Sequence, residues 1–150
     1  MKCKIYFLVM LVILTSLQTF AQIANHIVIS EVYGGGGNSG APFRYDFVEI
    51  YNPTLDTIDI SGWSIQYSSA TGSSWTVNSF GSSKFIFPRK YFLVQLGSGG
   101  SNGDSLPSPD VIGTSNLSAS AGKIALVNNT IPLSGTNPVD TSIIDFIGYG

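Results

Sequence analysis

After Cys3 this chain contains no cysteine at all. That excludes a disulfide, a thiol nucleophile and a cysteine-based metal site from everything that follows. Histidine is almost as scarce, with His26 alone. A Ser-His-Asp triad needs a central imidazole oriented by a carboxylate, and zinc sites draw on several imidazoles or thiolates. His26 therefore reads as an exposed side chain at the start of a strand. Charge is thin too: 11% of residues are Asp, Glu, Lys or Arg, against about 25% in ordinary soluble domains. The surface must be polar through Ser, Thr, Asn and Gly instead. Arg44, Lys84, Arg89, Lys90 and Lys123 are scattered, whereas attraction to nucleic-acid phosphates requires clustered cations. No direct nucleic-acid partner is expected. Nor does any stretch beyond the first twenty-one residues sustain a 3.6-residue apolar period, so no helix is expected there.

What is present begins with a three-part leader. Lys2 and Lys4 precede an apolar run from Ile5 to Leu14, and Thr19-Phe20-Ala21 puts small residues at the −3 and −1 positions before Gln22. This is the pattern of a secretory signal peptide. Thr15, Ser16 and Gln18 interrupt the run well short of the ~20 apolar residues that span a bilayer. The expectation is a signal peptide over 1–21, cleavage after Ala21, and a secreted or cell-surface domain over 22–150. No membrane partner is expected once the signal is gone. Cleavage also removes Cys3, which lies on the wrong side of the apolar run for lipid attachment. It leaves five basic against nine acidic side chains. A chain of the remaining size suits one domain and buries roughly two-thirds of its unfolded surface.

Short β-rich runs separated by Gly, Ser, Asn and Pro fill the remainder. The pattern predicts strands over Ile27–Tyr33, Asp46–Tyr51, Trp63–Ser69, Ser74–Val77, Lys84–Phe87, Tyr91–Leu96, Lys123–Asn128 and Ser142–Gly148. Val48 and Ile50 alternate with Phe47, Glu49 and Tyr51, and Ser64 and Gln66 alternate with Trp63, Ile65 and Tyr67. Such period-two alternation describes strands covered on one face, as in packed antiparallel sheets. The expected core includes Val48, Ile50, Ile65, Val94, Ile124 and Leu126. Asn52-Pro53-Thr54 starts a turn, and Gly97–Asp110 is a long polar loop. Six to eight short strands point to a β-sandwich.

Gly35-Gly36-Gly37-Asn38-Ser39-Gly40 fits G-x-G-x-x-G. A dinucleotide fingerprint, however, needs a helix directly after the glycines, whose N-terminus holds the pyrophosphate. Ala41-Pro42-Phe43 and another strand follow here. The loop turns the chain.

Three ordered segments, Ile29-Ser30-Glu31-Val32, Asp46–Pro53 (DFVEIYNP) and Ile58–Trp63 (IDISGW), carry a family resemblance, joined by a late Ile144–Gly150 (IDFIGYG). In order and spacing they resemble the lamin tail domain family, in its bacterial secreted branch beside exported nucleases and phosphatases. The resemblance implies an all-β, immunoglobulin-like antiparallel sandwich that is not itself catalytic. It also implies a further strand beyond Gly150, so either the chain is a fragment or the sandwich closes differently.

Several residues are candidates for chemistry. Glu31, Asp46 and Glu49 are weak metal candidates, with Ca²⁺ the cation to consider, although no D-x-[DN]-x-[DN]-G loop accompanies them. Trp75, between Gly/Ser-rich stretches, is the candidate exposed ligand contact, while Trp63, directly after Ser61-Gly62, resembles the family's core tryptophan and is expected as the seventh core residue. No catalytic or cofactor-binding residue is identified. Asp56-Thr57-Ile58 and Asp104-Ser105-Leu106 resemble a bacterial O-glycosylation signal, and Asn116-Leu117-Ser118 and Asn128-Asn129-Thr130 fit the N-linked sequon. The function expected is a secreted, non-enzymatic module for binding, adhesion or spacing, within a larger exported protein. Its partner would be a protein or a glycan, met through Gly34–Phe43, Ala70–Trp75 and Gly97–Asp110. Two alternatives are an accessory domain of an extracellular nuclease or phosphatase, and a carbohydrate-binding module.

Overall fold

A computed structural model describes residues 24–150. The expected signal peptide, 1–21, lies outside the described residues. Among the described residues there are ten strands: β1 (Val28–Tyr33), β2 (Phe47–Tyr51), β3 (Ile58–Asp59), β4 (Ser64–Ser69), β5 (Thr76–Ser79), β6 (Phe85–Ile86), β7 (Tyr91–Gln95), β8 (Val111–Ile112), β9 (Gly122–Val127) and β10 (Ile143–Tyr149). They form one sheet of order β1-β2-β7-β8, a second of order β10-β9-β4-β5, and a small β3-β6 pair. All pairs are antiparallel except β7–β8. The result is the all-β sandwich that the alternation predicts. Two strands escaped the sequence reading: β3 and β8 are two residues long, too short to show a period.

Alternation explains why the layers meet. Val48, Ile50 and Val94 from the first sheet and Ile65, Ile124 and Leu126 from the second point inward and are fully buried, joined by Ile27, Ile60, Phe80, Ile86, Phe92 and Leu96. Six of the seven expected core residues therefore lie at its centre. Trp63 differs: it is partly buried and packs against the cluster's margin.

The outer faces differ from expectation more. Ser64, Gln66 and Ser68 alternate as a solvent face would, yet all three are buried, and all of β9 is buried. A second apolar cluster of Trp75, Ala125, Val127 and Leu133, with Ile143 beside it, lies on this outer side. The segment between β9 and β10 carries Leu133 across the sheet. Two bulges adjust the sandwich edges, at Ile29/Glu31 in β1 and Ile143/Asp145 in β10. Asp145 Oδ2 accepts the Ile29 N–H at 2.7 Å, tying the two sheets together where a bulge interrupts the ladder.

Candidate functional site

Loops gather at both ends of the sandwich, and buried polar side chains fasten them. Asp46, just before β2, is the central fastening at one end. It is 1% exposed. Its Oδ1 accepts the Gly36 N–H and its Oδ2 the Leu117 N–H, each at 2.6 Å. Its backbone pairs with Leu96 and Gly97. One residue thus joins the glycine loop, the start of the long polar loop and the segment before β9. Burial pushes its carboxyl above the usual 3.8, while the N–H groups of Gly36, Leu117 and Gly35 pull it back. Both oxygens face donors, so neither is open to a cation.

The glycines make this approach possible. A Cβ on Gly36 would collide with the Tyr45 backbone, and Gly37, at φ 77°, lies against Ser98 and Gly100. The long loop docks on them: Gly99 N–H donates to Gly36 O at 2.9 Å, and Asn102 N–H and Nδ2 both donate to Gly37 O. Arg44 N–H donates to Asp104 O, and Asp104 N–H to Pro42 O. Gly34–Phe43 and Gly97–Asp110 therefore form one bonded surface. Nearby, Tyr67 Oη accepts the Ser118 N–H at 3.1 Å while Tyr149 Oη donates to Ser118 O at 2.9 Å. Burial raises the Tyr149 hydroxyl well above its ordinary value, which keeps it a donor.

Across the second sheet the same device holds the strap between β9 and β10. Ser64 Oγ donates to Asn129 O at 2.6 Å and Gln66 Nε2 to Ile131 O at 2.9 Å, while Gln66 Oε1 accepts the Leu133 N–H at 2.9 Å. Lys123, buried, donates from Nζ to Gly72 O at 2.8 Å and Thr136 O at 2.7 Å. Its charge is met by carbonyl dipoles and by the Trp75 ring, 5.5 Å from Nζ to centroid.

Trp75 itself corrects the sequence expectation. It is 6% exposed, and its Nε1 donates to Gly135 O at 3.0 Å. An indole packed between Ala125, Val127 and Leu133 is a fastening for the strap, with no free face on which a ligand could stack. Ala70–Trp75 belongs with this strap, since Gly135 N–H donates to Ser73 O at 2.9 Å.

Of the three metal candidates, the fold brings two together. Glu31 and Glu49 stand opposite each other on β1 and β2, and Ser30 Oγ donates to Glu49 Oε1 at 2.8 Å. Asp46 is engaged elsewhere, as described. Calcium takes six to eight oxygens, and among the described residues no group of three or more His, Asp or Glu side chains converges. His26 is exposed, 3.3 Å from Asn25 Oδ1.

Sequence reasoning missed Gln66, Asn78 and Lys123 as fastenings. Asn78 Oδ1 accepts the N–H groups of Thr114 and Ser115. Nothing in a strand's own pattern shows that a distant loop will cross its polar face.

A two-sheet sandwich with apolar side chains interleaved between its layers, and loops fastened at its ends, defines an immunoglobulin-like module. The Lamin Tail Domain family model matches residues 21–150, and the chain belongs to that family. No curated protein matches it.

Proposed function

We propose that this domain is an exported, non-catalytic module that presents pre-formed loops to a protein or glycan partner. One observation carries the reading. The buried polar side chains Asp46, Asn52, Gln66, Asn78 and Lys123 each make at least one hydrogen bond to the backbone of a loop. Groups that an enzyme would aim at a substrate here hold loops in one conformation. Pre-forming a binding loop lowers the entropy lost on association, which suits a presenting scaffold. The bonded surface of Gly34–Phe43 and Gly97–Asp110 is the partner face, since recognition concentrates on loops held by a rigid frame. The leader supplies the export.

Expression of the full chain in a Gram-negative host, followed by N-terminal sequencing of the protein outside the cytoplasm, tests the export. A mature start at Gln22 supports it. A chain that keeps Met1 and stays inside the cell contradicts it. Binding screens against glycan and surface-protein arrays should find retention that weakens when Phe43 and Asn102 are replaced. Retention untouched by those changes would move the partner face elsewhere.

A further inference from the structure

The end of the sandwich opposite the glycine loop is built from two turns that Asn52 ties together. Asn52 Nδ2 donates to Asp56 O at 2.8 Å, Ile86 O at 3.0 Å and Phe87 O at 3.3 Å, while its Oδ1 accepts from Thr54. Its own N–H donates to Lys90 O, and its carbonyl accepts the Arg89 N–H. Large apolar side chains nevertheless point outward from these rigid turns. Leu55 is 78% exposed, Phe87 61% and Tyr91 60%, with Phe85 two residues before Phe87 at 50%. The Tyr91 ring lies 4.7 Å from that of Tyr51.

Arg89 and Lys90, both exposed, stand between Phe87 and Tyr91. With Lys84 they are three of the five basic residues beyond position 21. Asp56 is the acidic residue within the two turns. Asp59 lies across from Phe85, where its Oδ1 accepts the Ser61 N–H, and Asp110 lies by Lys84. The tip itself therefore carries more positive than negative charge on a domain that is acidic as a whole.

Apolar side chains held out in water on a stiff frame mark a surface that something covers. Aromatic rings and leucine beside exposed cations match the boundary between lipid headgroups and acyl chains: rings settle at that depth, and Lys and Arg meet anionic phosphates. A glycan would stack on the rings but leave Leu55 bare, and the cores of protein interfaces are depleted in lysine. We propose that this tip docks on the surface of an anionic lipid bilayer. Leu55, Phe87 and Tyr91 enter the headgroup boundary while Arg89 and Lys90 contact lipid phosphates. Among the described residues no helix is long and apolar enough to span a membrane, and docking on a surface requires none. The sequence expectation of no membrane partner rested on the lack of a spanning run, which bears only on crossing.

Co-sedimentation of the processed protein with vesicles of phosphatidylethanolamine and phosphatidylglycerol tests this. It should pellet with them at low salt and much less with phosphatidylcholine vesicles. Phe87→Ser with Tyr91→Ser, and separately Arg89→Glu with Lys90→Glu, should each weaken pelleting at least about tenfold. Both variants should keep the parent's circular dichroism and cooperative unfolding, the first melting only slightly lower because it gives up the Tyr51–Tyr91 ring contact. Absence from the anionic pellet, equal pelleting with both vesicle types, or pelleting that neither folded variant alters would overturn the proposal. So would retention by a soluble polysaccharide that abolishes vesicle binding.

Discussion

Asp46→Asn changes almost no volume but removes a charge and turns one acceptor into a donor. In the parent, two N–H groups from separate loops converge on the carboxylate at 2.6 Å each. The amide keeps one acceptor oxygen and turns its NH₂ toward the other N–H. One charge-assisted bond is lost, about 1.5–3 kcal/mol, and one buried N–H is left without an acceptor, about 1–3 kcal/mol. Removing a charge from a buried site offsets part of this. The net loss should be about 2–4 kcal/mol, a large share of the 5–15 kcal/mol typical of a domain. Urea unfolding followed by tryptophan fluorescence measures it. The pH dependence has a definite sign. Because the folded carboxyl titrates above 3.8, the folded state binds its proton more readily than the unfolded state. That contribution to stability is complete below 3.8 and is lost as pH rises through the folded value. Asparagine does not titrate, so the gap between parent and variant should widen as pH falls from neutral toward 3.8. A variant within about 0.5 kcal/mol of the parent, or a gap that closes on acidification, would refute this account of Asp46.

Three further substitutions probe other fastenings. Asn52→Ala removes the side-chain bonds that unite the two turns at the end of the sandwich opposite the glycine loop and should cost about 3 kcal/mol by the same unfolding measurement. Trp75→Phe keeps a ring over Lys123 but loses the bond to Gly135 O. It should cost about 1–2 kcal/mol and speed hydrogen exchange in the strap between β9 and β10. Gly36→Ala drives a methyl group into the Tyr45 backbone. Backbone there cannot rotate aside as a side chain would, so the loss should exceed about 3 kcal/mol, read as a fallen melting temperature or insoluble expression.

The sandwich was legible because Val48, Ile50, Ile65, Ile124 and Leu126 repeat every second residue, and a local period reports which face of a strand is covered. Asn52 was legible as a turn former, and Thr54 N–H does bond to its Oδ1 at 2.9 Å. What escaped depends on chain segments distant in sequence. Gln66 alternates like a solvent-facing residue, yet Leu133, sixty-seven residues later, donates to it. Trp75 is surrounded in sequence by glycine and serine, and that company gave no hint of burial under Gly135. Trp63 stops at the margin of the core its Ser-Gly-Trp setting predicted. Glu31 and Glu49 were grouped with Asp46 by composition, but register pairs only the first two, and Asp46 looks inward to backbone amides.

Native-state hydrogen exchange at single-residue resolution tests most directly whether buried polar side chains hold these loops. The amides of Gly36, Leu117, Thr54, Thr114 and Leu133 all lie outside strands and all donate to buried side-chain oxygens. They should be protected to a degree approaching the β2 and β9 amides. If instead they exchange as fast as exposed amides in the same loops, the loops open independently of the sandwich and the fastening account is wrong.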